Sequence, residues 1–186
     1  RFRAIMAISH SRKCKGRLAL FCQKEKGMNR IAEFEFVSPE QREKDFAAPE
    51  AELRLPRRAT AGSAGYDFFA PFDFELAPGE TILMPTGVRA RIDAGWVLML
   101  YPRSGLGFKY RLQLDNTVGI IDSDYYGAKN EGHIMIKLTN DSRTGRALSV
   151  HAGDAVAQGV FVPFGITVSD AADGVREGGF GSTTGR

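Results

Sequence analysis

The chain has 186 residues, 43% hydrophobic and 25% charged, proportions ordinary for a soluble globular protein and long enough for one domain with a real core. The formal charge of +3 is unevenly spread: residues 1–29 hold eight Lys or Arg against one acid, Glu25, so they carry +7 and the remainder sums to −4. The pI of about 9.0 therefore belongs to the leader, and it gives no reason to expect a nucleic-acid partner. The only cysteines, Cys14 and Cys22, also lie in the leader. Their spacing with His10 fits no zinc pattern, and the cysteine-free body has no disulfide framework and suits a reducing, cytoplasmic setting. No apolar run approaches the roughly 18 residues of a membrane span, so no membrane partner is expected.

In chain order, residues 1–27 read as a basic extension outside the fold, because "MNRIAEFEF" from Met28 looks like an ordinary beginning. Residues 28–52 follow as an N-terminal strand, "IAEFEFV", and a short helical turn opened by the Ser-Pro of "SPEQREKDF". From residue 53 to 175 short segments rich in Val, Ile, Leu, Phe and Thr alternate with Gly, Pro, Asp and Asn clusters. "HIMIKLT" sends Ile134, Ile136 and Leu138 to one face and Met135 and Lys137 to the other. No strong 3.6-residue period occurs after residue 53, so the expected class is all-β, a sandwich or barrel with short helical segments only. The last stretch, "REGGFGSTTGR" at 176–186, is too glycine-rich to hold itself rigid and reads as a lid.

Five stretches stand out chemically. In "SAGYDFFAP" Asp67 follows a glycine among aromatic residues, which alone is a turn acid. "YPRSGLG", read as a turn fixed by Pro102 after a strand that ends at Tyr101, offers the guanidinium fork of Arg103, the hydroxyl of Ser104 and the unobstructed N–H of Gly105, a set able to hold phosphate oxygens. It is not a nucleotide P-loop, since no G-x-x-x-x-G-K-[ST] is present. "DNTVGIIDSDYYG" runs a short strand into two aspartates and two tyrosines. An aspartate held at a strand end can act as a general base on water, and Gly119 would let a flat ligand approach the backbone. "GDAVAQGVF" sets Gln158 among small apolar residues, where its amide needs partners. The tail supplies Arg176 for an anion and Phe180 to stack on a base. His133 and His151 fall near strand starts, where solvent-facing roles are commoner, and no histidine reads as catalytic.

These five stretches, in this order, resemble the motifs of the trimeric deoxyuridine triphosphatases, and the resemblance runs from about residue 53 to the C-terminus. It implies a distorted jelly-roll β barrel, a homotrimer with active sites shared between subunits, and Mg2+-dependent hydrolysis of dUTP to dUMP and pyrophosphate. Such a reaction keeps uracil out of DNA and supplies dUMP for thymidylate synthesis. Residue by residue, the resemblance makes Asp122 the base that activates water and touches the 3′-hydroxyl. It makes Tyr125 the ring packing on the deoxyribose, and gives Asn116 and the backbone at Gly119 to the uracil edge. Arg103, Ser104, Gly105 and Gln158 become phosphate contacts, and Asp67 an acid near the metal, acting through water. Arg176 becomes the γ-phosphate arginine and Phe180 the ring that closes over uracil.

Three departures from the usual motifs accompany the resemblance. The tail spacing in "VREGGFG" is one residue short, Ala155 replaces a common arginine, and "AKNEG" after "DYYG" is longer than the usual tight turn and reads as a surface insertion. A dCTP deaminase shares the implied fold, but "HIMIKLTN" lacks the glutamate that family uses. A non-catalytic nucleotide-sensing module is the third reading, and retention of Asp122, Arg103, Tyr125 and Phe180 argues against it.

Overall fold

The computed structural model describes residues 29–47, 53–176 and 178. The chain divides into Arg1–Arg30 and Ile31–Arg186. Only residues 29 and 30 of the first unit are described, so the basic extension, with His10, Cys14 and Cys22, lies outside the described residues, as does Phe180.

The second unit is built from antiparallel strands with two short α-helices among the described residues. Strand β1 (Ala32–Phe36) pairs with β6 (Val88–Ile92), with Glu33 opposite Arg91 and Glu35 opposite Arg89. The alternation read in the sequence has a physical use here: Phe34 turns inward onto the rings of Tyr66, Phe68 and Phe161, while the glutamates meet arginines outside. Helix α1 (Pro39–Asp45) starts as expected. Pro39 occupies its first turn and the Ser38 hydroxyl accepts from the Gln41 N–H at 3.1 Å.

A five-stranded sheet carries most of the candidate residues. Its order is β2 (Arg57–Arg58), β3 (Tyr66–Phe69), β12 (Ala155–Pro163), β7 (Trp96–Pro102) and β9 (Gly119–Ile121). A three-stranded sheet sets β10 (Met135–Asn140) between β5 (Thr81–Pro85) and β8 (Leu112–Leu114), and β4 (Phe74–Leu76) pairs with β11 (Leu148–Val150). One core cluster joins these sheets, drawing Phe68, Leu98 and Ile121 from the five-stranded sheet and Met84, Ile136 and Leu138 from the three-stranded one. The predicted faces of β10 hold: Ile134, Ile136 and Leu138 are buried, and Lys137 is exposed.

Two segments differ from expectation. "YPRSGLG" does not form a simple turn, because helix α2 (Ser104–Tyr110) begins directly after Arg103. Two glycines weigh against a helix there, but Leu106 and Tyr110, four residues apart, both pack on the core and hold the turns down. The "AKNEG" segment is not a surface insertion. Ala128 and Gly132 are buried, and the Glu131 carboxylate accepts from the Ser38 N–H at 2.8 Å and its hydroxyl at 2.6 Å. Glu131 and Gly132 both have positive φ, 57° and 70°. A Cβ at Gly132 would lie 2.6 Å from the Tyr125 carbonyl oxygen, so only glycine lets the segment fold back this closely.

Candidate active site

Asp122 immediately follows β9, whose Ile121 lies opposite Leu98 of β7. The strand ends there because Ser123–Gly127 form a 3-10 turn with Asp122 at its N-cap position. The Asp122 side chain is about half exposed, and its Oδ2 accepts from Nη2 of Arg176 at 2.5 Å. The same guanidinium donates through Nε to Asp124 at 2.8 Å and stands 5.7 Å from the centroid of the Tyr125 ring. Arg176 is thus the cation that holds two carboxylates at one strand end, and its side chain is only 16% exposed.

Tyr125 is buried, and its hydroxyl is committed at the far end of the ring. It donates to the His133 carbonyl at 2.8 Å and accepts from Nδ2 of Asn130 at 2.8 Å. Burial raises the hydroxyl pKa above its ordinary value, so the group stays a neutral donor. The neighbouring Tyr126 turns the other way and donates to Glu35 at 2.8 Å, beneath Arg89 at 4.4 Å from its centroid. That hydrogen bond, followed by the bond from Arg91, lowers the pKa of Glu35.

A second group forms on β3, β12 and the start of α2. Asp67 and Gln158 are directly opposite each other, and Gln158 also faces Tyr101 of β7. Arg103 Nε lies 3.2 Å from Asp67 Oδ1, and Gln158 Nε2 donates to the Pro102 carbonyl at 3.2 Å. Ser104 and Gly105 are exposed, and a Cβ on Gly105 would meet nothing within 4 Å, leaving that backbone open to a ligand.

Asn116 occupies the exposed turn before β9, where its carbonyl accepts from the Val118 N–H at 2.7 Å and Thr117 has a φ of 63°. Gly119 packs closely against β7. It is buried, and a Cβ there would lie 3.0 Å from Cβ of Leu100 on β7, so its missing side chain serves strand packing.

The two groups sit apart within one chain. Asp67 is level with Tyr101, whereas Asp122 continues the register to the level of Val97, and three strand steps separate β3 from β9. Strand geometry makes that separation about 20 Å.

Among the described residues no three His, Cys, Asp or Glu side chains gather into a metal cage. Asp67, the acid expected near a metal, is ion-paired with Arg103. No helix among the described residues is long and apolar enough to cross a membrane.

Sequence reasoning gave no role to Asn130 or Glu131 and turned His133 toward solvent. His133 is fully buried, not solvent-facing: its Nε2 accepts from the Gly87 N–H at 2.8 Å and its Nδ1 lies 2.5 Å from Asp45. Accepting at Nε2 requires the neutral ring with its proton on Nδ1, and burial accordingly lowers the His133 pKa. The one available signal was the Asn-Glu-Gly run at 130–132, a turn marker beside a motif tyrosine.

Residues 51–184 match the dUTPase family. The chain belongs to that family. It is 43% identical over 136 residues to the deoxyuridine 5'-triphosphate nucleotidohydrolase of Lactococcus lactis, covering 72% of this chain and 89% of that protein. The dUTPase of Streptococcus mutans is similar in structure at a TM-score of 0.57 and 38% identity, covering 72% of this chain and 97% of that one. A mutant of the dUTPase of phage phi11 of S. aureus, whose structure details the coordination of a structural Mg(II) ion, shares the fold at a TM-score of 0.57 and 22% identity, covering 78% of this chain and 98% of that one. The dUTPase-family fold thus accounts for a mostly β unit with two short helices among the described residues.

Proposed function

We propose that this chain hydrolyses dUTP to dUMP and pyrophosphate. The observation that carries the reading is the meeting of Asp122, Tyr125 and Arg176 at one end of β9, within a dUTPase-family fold. Asp122 takes a proton from water, the hydroxide attacks the α-phosphorus, and the bond to the β-phosphate's bridging oxygen breaks, releasing pyrophosphate. Tyr125 presents its ring to the deoxyribose, since its hydroxyl is already occupied inside the protein. Arg103, Ser104, Gly105 and Gln158 receive the phosphates, with Arg103 exchanging Asp67 for the more highly charged ligand. When bound with the triphosphate, Mg2+ supplies charge neutralisation and orientation of the phosphate chain. Arg176 leaves the two aspartates for the γ-phosphate, and Phe180 closes over uracil, so that 176–186 acts as a lid.

The separation of about 20 Å between Asp122 and Asp67 supports sites shared between copies in a homotrimer, because one chain alone holds only half of each set. The cysteine-free body and the nucleotide substrate suit a cytoplasmic enzyme.

The test is pyrophosphate release from dUTP, dCTP, dTTP and UTP, with and without Mg2+. Hydrolysis confined to dUTP supports this reading, ammonia from dCTP favours a deaminase, and no turnover favours a binding module. Asp122→Asn is expected to keep dUTP binding and lose turnover by about three orders of magnitude or more. Turnover at the wild-type rate would remove Asp122 from the role of base.

A further inference from the structure

The phenolic oxygen of Tyr125 is gripped from two sides by the segment that follows the 3-10 turn. Asn130 Nδ2 donates to it at 2.8 Å, and it donates to the His133 carbonyl at 2.8 Å. Asn130 is itself fixed by backbone bonds: the Glu131 N–H reaches the Ala128 carbonyl at 2.8 Å, and the His133 N–H reaches the Asn130 carbonyl at 3.0 Å. Its neighbours tie the segment to α1 through Glu131–Ser38 and His133–Asp45. Asn130 also carries a cost, because its Oδ1 is buried with no hydrogen-bond partner among the described residues. A side chain present only for stability gains little from burying an unpaired acceptor. The Nδ2 bond to Tyr125 is what that cost supports.

We propose that Asn130 is a positioning residue for sugar discrimination, holding the Tyr125 ring where a ribose 2′-hydroxyl cannot fit. The proposal rests on the sugar-packing role proposed for Tyr125. An apolar surface rejects one added hydroxyl only weakly unless it is rigid. Here rigidity comes from the hydroxyl end of the ring, on the side away from a ligand, while the Arg176 guanidinium overlies the ring. Loosening the grip lets the ring retreat and admits UTP.

The experiment compares kcat/KM for dUTP and for UTP in the full chain, in wild type, Asn130→Ala, Tyr125→Phe, the double variant and Tyr125→Ala. Asn130→Ala is expected to lower the dUTP-to-UTP ratio about tenfold, the scale of one hydrogen bond. Tyr125→Phe, which keeps the ring and loses the gripped oxygen, is expected to do the same, and the double variant to add nothing further. A purely structural role would lower both substrates equally and leave the ratio unmoved, and that result overturns the proposal. If Asn130→Ala does not fold, Tyr125→Phe decides alone: full discrimination in that variant is fatal to the grip. Tyr125→Ala separates the levels. Discrimination lost there but kept in Asn130→Ala and Tyr125→Phe overturns the positioning role only; discrimination kept in Tyr125→Ala overturns the sugar-packing reading and this proposal with it.

Discussion

A methyl group added at Gly119 would sit 3.0 Å from Leu100 Cβ and 3.2 Å from its Cδ1, against a side chain that has almost no exposure and no route of escape. Gly119→Ala is therefore expected to destabilise the protein by about 1–2 kcal/mol, the strain outweighing the entropy that alanine removes from the unfolded chain. Urea unfolding measures it, and an unchanged midpoint would mean that Leu100 gives way to the methyl group. This residue marks where sequence reasoning ran out. That a glycine in a short apolar strand signals close approach was legible, but the partner across the ladder depends on β7, which the sequence does not align. Asp122, in contrast, was legible, because an acid at the end of a strand is a local pattern and the strand did end there.

At the scale of elements, the stop-and-start signals of α1 were readable and its anchor was not. Ser38 before Pro39 announced the cap, yet the carboxylate that binds Ser38 belongs to Glu131, 93 residues away. Its extra length over the usual turn of the resembled family made the 128–132 segment read as a surface insertion; two positive-φ residues in succession instead turn it inward against Tyr125. Glu131→Ala is expected to cost about 1–3 kcal/mol by leaving the Ser38 N–H and hydroxyl unpaired, as read by thermal or urea melts. Two hydrogen bonds from Ser38, first its hydroxyl and then its N–H, lower the Glu131 pKa. Its stabilisation is therefore complete above the ordinary glutamate range and is lost as pH falls through the lowered value. Replacement by alanine should accordingly matter least in acid. Helix α2 escaped notice for a related reason: the contacts of Leu106 and Tyr110 with the core outweigh a local sequence with two glycines.

For the whole molecule, His133 links stability to pH. Burial is the main reason its pKa lies below the ordinary histidine value, opposed by Asp45, first through the hydrogen bond and then through its charge, and by the charge of Glu131. The unfolded chain therefore binds this proton more readily, so the contribution is fully present above about pH 6.5 and is lost as pH falls below it. Stability should rise as pH climbs toward about 6.5, and His133→Gln, which can still accept from Gly87, should flatten that rise while costing about 1–3 kcal/mol. A rise of equal steepness in the variant would assign the effect to another group. The antiparallel, largely β character of the molecule was open to sequence reasoning, since it depends on strand-length patterning repeated many times over. The register between strands was not.

That register has a genetic consequence. In the proposed homotrimer, Asp122 and Arg103 travel on one polypeptide but, by the separation across the sheet, serve different catalytic centres. Two inactive alleles, Asp122→Asn and Arg103→Ala, should then complement one another: on co-assembly in equal amounts, about a quarter of the centres receive an intact half from each parent. Mixed, the two silent proteins should regain activity that neither has alone.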